Sequence, residues 1–387
     1  MMAGFFSGSI GKRGALTLVG ALAGMALALT LALSPLNAQQ EPSSSVRPPP
    51  GASIPGGPNV VQPERPGNYD IEMWKKVREG LSGQVSIPDK KAGQLVQSDG
   101  EAWRNFRNGP LPRYGLWGMA GIVVLLAVFL VIRGRIAIEH GWAGRTITRF
   151  GDVERFGHWL LAVSFIILAL TGLNVLYGRY FLLPLIGAEA FSVISIWGKW
   201  LHNYVAFAFM VGLAVTFIVW IRHNLPHWRD FVWLAKGGGM FVKGSHPPAW
   251  KFNAGQKIVF WAVMLGGLSL SLSGLALMFP FQTALFAKTF ALVNMLGFNL
   301  PTQLTPVQEM QYATSWHGIV ALALTVVIIA HIYIGTLGMQ GAFSAMGSGQ
   351  VDVNWAKEHH SLWAEREIQK MEDVAAAETG GRVAPAE

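Results

Sequence analysis

The chain has 387 residues, of which 51% are hydrophobic and only 13% charged, with a formal net charge of +8. The charged share is about half the roughly 25% of an ordinary soluble domain, and the 15 Trp, 22 Phe and 45 Gly suit a helical membrane protein with interfacial aromatics and close helix contacts. The absence of cysteine excludes disulfides, cysteine-ligated iron–sulfur clusters and c-type haem attachment within this polypeptide.

The first apolar stretch, 14–33, follows Lys12 and Arg13 and ends at Ser34-Pro35-Leu36-Asn37-Ala38. Residues 1–38 therefore read as a signal peptide cleaved after Ala38, or as an uncleaved anchor given the long apolar part. Residues 39–113 read as exported. Glu41 to Gly67 is rich in Pro, Ser and Gly and reads as an extended linker, and Tyr69 to Asn108, with Trp74 and Trp103, as a small ordered extension. Five uncharged stretches long enough to cross about 30 Å of hydrocarbon follow, at 114–132, 156–177, 200–221, 258–279 and 316–337.

Loop charge orients these spans. Arg133, Arg135, Arg145, Arg149 and Arg155 lie between the first and second, and Arg222, Arg229, Lys236, Lys243, Lys251 and Lys257 between the third and fourth. The alternate loops hold only Arg179, Lys199 and Lys288. The positive-inside rule places the two basic loops and the tail 341–387 in the cytoplasm. The net positive charge then reports membrane orientation, and no nucleic-acid partner is expected.

Four histidines stand at the ends of the spans: His158, His202, His317 and His331. Ionisable residues within a membrane are costly and mark functional sites. With the orientation above, His158 and His331 share the cytoplasmic level and His202 and His317 the outer one. His317 and His331 are 14 residues apart on one helix face, about 21 Å along the axis, so the two levels are separate centres. Each level offers two neutral nitrogens and no carboxylate or thiolate. Zinc wants three or four protein ligands, whereas haem iron needs only two axial ones, so two bis-histidine b-type haems are expected. Gly172, Gly212, Gly266, Gly267, Gly274, Gly318 and Gly335 are expected to supply the flat surfaces beside them, with Arg149, Arg155 and Lys199 meeting propionates. His140, His223, His227, His246, His359 and His360 lie in loops or the tail and read as solvated.

The spans carry no Asp, Glu, Lys or Arg, which disfavours a proton pump or ion-coupled transporter. The Gly237-Gly238-Gly239 run lacks the strand–turn–helix setting of a nucleotide site. With no flavin fold and no cluster, the chain must take electrons from a partner and pass them on, to a lipid-soluble quinone.

Several motifs carry a resemblance. They are Ile147-Thr148-Arg149-Phe150, Glu154-Arg155-Phe156-Gly157-His158-Trp159, Lys199-Trp200-Leu201-His202 and Arg222-His223-Asn224-Leu225-Pro226. Lys251-Phe252-Asn253-Ala254-Gly255-Gln256-Lys257 is the most specific; Trp316-His317-Gly318, His331-Ile332-Tyr333 and Trp355-Ala356-Lys357-Glu358-His359-His360 complete the set. Together, over roughly 146–370, they resemble the cytochrome b (gamma) subunit of respiratory formate dehydrogenases. The resemblance implies an all-α integral membrane protein, with a four-helix diheme bundle over 146–340 and one additional N-terminal transmembrane helix at 114–132. It implies an inner-membrane complex in which a molybdenum or tungsten catalytic subunit oxidises formate and an iron–sulfur subunit relays the electrons. The haem on His202 and His317 would accept them, and the haem on His158 and His331 would deliver them to quinone beside Asn253, Gly255 and Gln256. Asn253 also suits a helix N-cap, a role compatible with quinone contact. The shortest members of that family lack the region before about 145. Two other readings compete: a cytochrome subunit of a nickel–iron hydrogenase or thiosulfate reductase, and a haem-free scaffold or transporter.

Overall fold

Every expected span is a helix in the computed structural model, which describes residues 98–380 apart from 243 and 281. The signal segment, the linker and most of the extension lie outside the described residues. The chain divides into two units, one of them Ala26–Phe106, of which only 98–106 are described, all helical. That helix, α1, runs Ser98–Asn108.

The membrane helices are α2 (Pro110–Arg133), α3 (Asp152–Phe181), α4 (Leu183–Trp220), α6 (Ala254–Met278) and α8 (Pro306–Tyr333). The described residues hold five helices long and apolar enough to cross a membrane. Their starts follow local chemistry. Proline stands in the first turn of α2, α4 and α8, where its missing N–H costs nothing. Asn253 and Gln256 form a reciprocal capping box on α6, and Thr305 and Gln308 another on α8.

The loops are more helical than expected. α3 and α4 are separated by Leu182 alone, and the expected outer loop is taken up by the start of α4, broken at Gly187, whose φ of +79° favours glycine. A short apolar helix, α7 (Leu285–Asn294), lies between α6 and α8; Glu309 of α8 caps it by accepting the N–H groups of Phe286 and Ala287 at 2.8 Å each. On the other side α5 (Trp228–Ala235) is tied to α6 by Lys257, which bonds both carboxylate oxygens of Asp230 and the Leu225 carbonyl.

In the bundle α3 packs along α4, α4 on α6, α6 on α8, and α8 on the additional helix α2. Glycines set the close approaches. A Cβ at Gly212 would lie 2.8 Å from the Leu161 backbone, at Gly267 2.9 Å from Leu213, at Gly266 2.9 Å from Leu324, and at Gly318 3.0 Å from Leu111. These four glycines therefore serve helix–helix contact, as small residues do in membranes, and the expectation that they line a macrocycle is corrected. Elsewhere the helices expose apolar side chains such as Val124, Leu170, Ile218 and Leu265, a surface suited to lipid.

A folded cap closes one end of the bundle. Strand β1 (Thr146–Thr148) pairs antiparallel with β2 (Gln350–Asp352), with Ile147 opposite Val351. Between α8 and β2 the chain passes through a π-turn (Ile334–Gly338) and a short helix, α9 (Ser344–Gly347). The tail continues into α10 (Val353–His359) and α11 (Ser361–Gly380). Asp352 organises the junction: it accepts the Ala143, Gly144 and Asn354 amides. Ile147, Phe150, Trp220, Phe252, Val351, Trp355, Trp363 and Ala364 form one buried cluster there. The first part of the tail is therefore buried: hydrophobic side chains of the two basic segments and the tail cover one another.

Candidate functional site

The structure brings the four span histidines together in two pairs. The rings of His158 (α3) and His331 (α8) have centroids 6.2 Å apart with planes at 60°. Those of His202 (α4) and His317 (α8) are 6.3 Å apart at 61°. All four are half-buried. A metal held between two imidazole nitrogens at about 2 Å each, with roughly half a ring added on either side, requires centroids about 6 Å apart. Both pairs match that spacing. Among the described residues no cluster of three or more His, Asp or Glu fits a metal ion, so each pair stands as a two-ligand set. Such a set suits a metal whose other positions are already filled, as haem iron's are.

The two pairs have different surroundings. At the His202–His317 level, Thr171 Oγ1 lies 2.8 Å from His202 Nδ1 and Ser273 Oγ 2.9 Å from His317 Nδ1. Gly172 and Gly274 follow those hydroxyls; a Cβ at either would touch Cε1 of the adjacent histidine at 3.5 Å. These two glycines border the site as expected, and around Gly335 a Cβ would meet nothing within 4 Å. The two hydroxyls escaped the sequence reading, although a signal existed. Leu168-Ala169-Leu170-Thr171-Gly172-Leu173 and Leu270-Ser271-Leu272-Ser273-Gly274-Leu275 repeat one pattern on α3 and α6.

At the capped end His158 Nδ1 is buried without a hydrogen-bond partner among the described residues. Its ring neighbours Trp159 and Trp220. Trp220 donates to Glu154, which also pairs with Lys251 at 2.7 Å, and it stacks at a tilt on Phe252, 5.2 Å away. This chain of contacts carries Asn253 and the start of α6 to the His158–His331 end. There Asn253 Oδ1 accepts the Gln256 N–H at 2.9 Å, and Gln256 Oε1 accepts the Asn253 N–H at 3.1 Å. The cap uses both amide oxygens and neither amide NH2. The Gly255 N–H, in the first turn, has no partner within the helix. Three donors are thus gathered at one helix start, and Trp233 lies against Gly255, 3.1 Å from where a Cβ would be.

The expected propionate partners fare differently. Arg149 is only 2% exposed. It donates to the Lys251 carbonyl at 2.7 Å and sits 2.9 Å from His360 Nε2, against the rings of Phe150, Trp355 and Trp363. Burial pushes its pKa down to about 9, still protonated at neutral pH. Its charge is spent holding the cap, so the propionate expectation is withdrawn. Arg155 donates to the Met346 and Gly347 carbonyls and pairs with Asp152, while Lys199 is exposed. His360, expected in solvent, is 1% exposed and donates from Nδ1 to the Trp250 carbonyl at 2.8 Å. Burial and then the Arg149 charge hold its pKa well below the ordinary value, so it is neutral. His359 is pushed down to about 4, mainly by burial. His140 contacts Glu358 at 2.8 Å and His246 contacts Glu139 at 3.0 Å.

Comparison with known proteins fits this geometry. The model of the prokaryotic cytochrome b561 family matches residues 149–349. The chain belongs to that family. It is 31% identical over 232 residues, 60% of this chain and 97% of the relative, to the formate dehydrogenase cytochrome b556(fdo) subunit of Escherichia coli (strain K12). It is 28% identical over 238 residues, 61% of this chain and 98% of the relative, to the nitrate-inducible formate dehydrogenase cytochrome b556(Fdn) subunit of the same strain. A formate dehydrogenase cytochrome b556 subunit of Haemophilus influenzae (strain ATCC 51907 / DSM 11121 / KW20 / Rd) is 26% identical over 242 residues, 61% of this chain and 90% of the relative. The family implies b-type haem and electron transfer within an integral membrane protein. The haem-free scaffold reading falls with it.

Proposed function

We propose that this chain is the diheme b-type cytochrome subunit of an inner-membrane formate dehydrogenase, conducting electrons from an iron–sulfur partner to quinone. The observation that carries the reading is the pair of ring spacings, 6.2 and 6.3 Å, each suited to one bis-histidine haem. Support for the complex comes from the similarity to subunits named for formate dehydrogenase. Formate oxidation belongs to a molybdenum or tungsten partner, since this chain offers neither cysteine nor a catalytic constellation.

Bound haem supplies reversible one-electron transfer at its iron, with a potential tuned by axial ligands and their hydrogen bonds. The residues of this chain do the rest. His158 and His331 grip one macrocycle, and His202 and His317 the other. The glycines bring the helices close and keep the sites dry. Asn253 and Gln256, with their spare NH2 groups, and the Gly255 N–H bind quinone carbonyl oxygen beside the first pair. Loop charge puts that end, with the cap and the C-terminus, in the cytoplasm; residues 39–113 are exported.

Purified protein reduced with dithionite should show b-type absorbance with two haems per polypeptide. Protein without such absorbance contradicts the reading. Gln256→Ala should raise the quinone KM of the complex while haem content stays constant; an unchanged KM removes Gln256 from the quinone site. Formate-driven quinone reduction in sealed, oriented vesicles should build a membrane potential, and its absence contradicts the assigned orientation.

A further inference from the structure

The hydroxyls at the His202–His317 level have a defined direction of hydrogen bonding. Thr171 Oγ1 lies 2.8 Å from the Ile167 carbonyl and 3.1 Å from that of Leu168. Ser273 Oγ lies 2.8 Å from the Ser269 carbonyl and 3.2 Å from that of Leu270. A carbonyl only accepts, so each hydroxyl proton goes to its own helix backbone. What the oxygen retains is lone pairs, and each histidine presents Nδ1 to them at 2.8 and 2.9 Å. The proton between them is therefore the imidazole's. With Nδ1 protonated, Nε2 carries the free lone pair and is the ligating atom.

The arrangement occurs twice at one level, on α3 toward α4 and on α6 toward α8, each time with a glycine directly after the hydroxyl. A methyl group added at that glycine would already touch the histidine edge at 3.5 Å, so a larger side chain would displace the ring. The capped end is built otherwise: His158 Nδ1 is buried with no partner among the described residues. An imidazole whose N–H is donated to an acceptor is a more basic ligand than one whose N–H is bare. More basic axial ligands favour the oxidised iron and lower its potential.

We propose that Thr171 and Ser273 are positioning residues. They fix His202 and His317 as Nε2 ligands and hold the haem at that level at a lower potential than the haem on His158 and His331. The difference drives electrons from the His202–His317 end toward the capped end. The inference rests on the bis-histidine reading and adds to it two hydroxyls that set the order of the two potentials.

Potentiometric titration of the full chain tests it, with the absorbance of each haem as readout. Wild-type protein should give two transitions, and the lower one should be missing in His202→Ala. Thr171→Val and Ser273→Ala, singly and together, should shift only that lower transition to higher potential. They should also make its haem roughly 10- to 100-fold easier to extract, the usual range for loss of a partner behind a metal ligand. Thr171→Ser and Ser273→Thr keep the hydroxyl and should restore both properties, which a simple packing role would not explain. Two haems with unshifted transitions in the hydroxyl-free variants overturn the inference alone, as does a lower transition that vanishes in His158→Ala. A wild-type chain with no haem overturns the bis-histidine reading and this inference together.

Discussion

The two ends of the bundle hold the same pair of ligands in opposite ways. At the His202–His317 end, order comes from within the membrane helices, through two hydroxyls and two glycines one layer behind the imidazoles. At the His158–His331 end no hydroxyl reaches His158 Nδ1; order comes from a folded cap outside the spans, where Arg149, His360 and the Trp355–Trp363 cluster lock the tail onto the basic loops. Lipid explains the contrast. Where hydrocarbon surrounds the helices there is no hydrophobic drive between them, so close packing and short polar contacts decide position. Beyond the helix ends water is present, and burial of Trp220, Phe252, Trp355 and Trp363 stabilises the assembly in the ordinary manner.

The contrast can be broken most forcefully at Arg149. Arg149→Ala removes a buried cation that holds the Lys251 carbonyl and His360 and stacks on three rings. A cost of about 3–5 kcal/mol is expected, as for breaking a buried polar network. Limited proteolysis should then cut the tail before α10 while the haem on His202 and His317 stays bound; an intact tail contradicts the role of the cap. Next in size is Gly212→Ala, whose Cβ would press on the Leu161 backbone at 2.8 Å. Overpacking of this kind costs roughly 1–3 kcal/mol, readable as a lower thermal transition in detergent.

Acid should loosen the cap. His359, near 4, and His360, well below its ordinary value, are neutral when folded, whereas unfolded histidine takes a proton near 6.5. The unfolded cap therefore binds more protons below about pH 6.5, and stability falls as pH falls through that value. Arg149 faces both histidines, and Glu358, His246 and Glu139 face His359. Between pH 7.5 and 5.5 a loss of about 1 kcal/mol per histidine is expected, seen as faster amide exchange in 350–364. Exchange there independent of pH contradicts the buried neutral state. The smallest effect belongs to Gly121→Ala, where a Cβ meets nothing within 4 Å. It should leave stability within about 0.5 kcal/mol, and a larger loss would reveal a partner on that face of α2.

The spans and the histidine pairs were legible because both depend on one-dimensional quantities, runs of apolar residues and the parity of crossings. His158 and His331 follow from those alone, as do His202 and His317. The cap was hidden for the opposite reason. Arg149, expected at a propionate, and His359 and His360, expected in solvent, take their place only when distant parts of the chain fold against them. Asn253 was read correctly as a helix cap, which the reciprocal bonds with Gln256 show. Arg149 as a propionate partner and four of the seven glycines as a macrocycle floor were misassigned, because sequence gives the level of a residue but not the direction it faces.

The pairing of ligands is tested most directly by haem counts in single and double variants. His158→Ala and His331→Ala should each retain one haem per chain, and their double variant should also retain one. The same should hold for His202→Ala and His317→Ala, whereas His158→Ala combined with His202→Ala should leave none. A within-pair double variant that loses both haems, or a cross-pair double variant that keeps one, would contradict two separate bis-histidine centres.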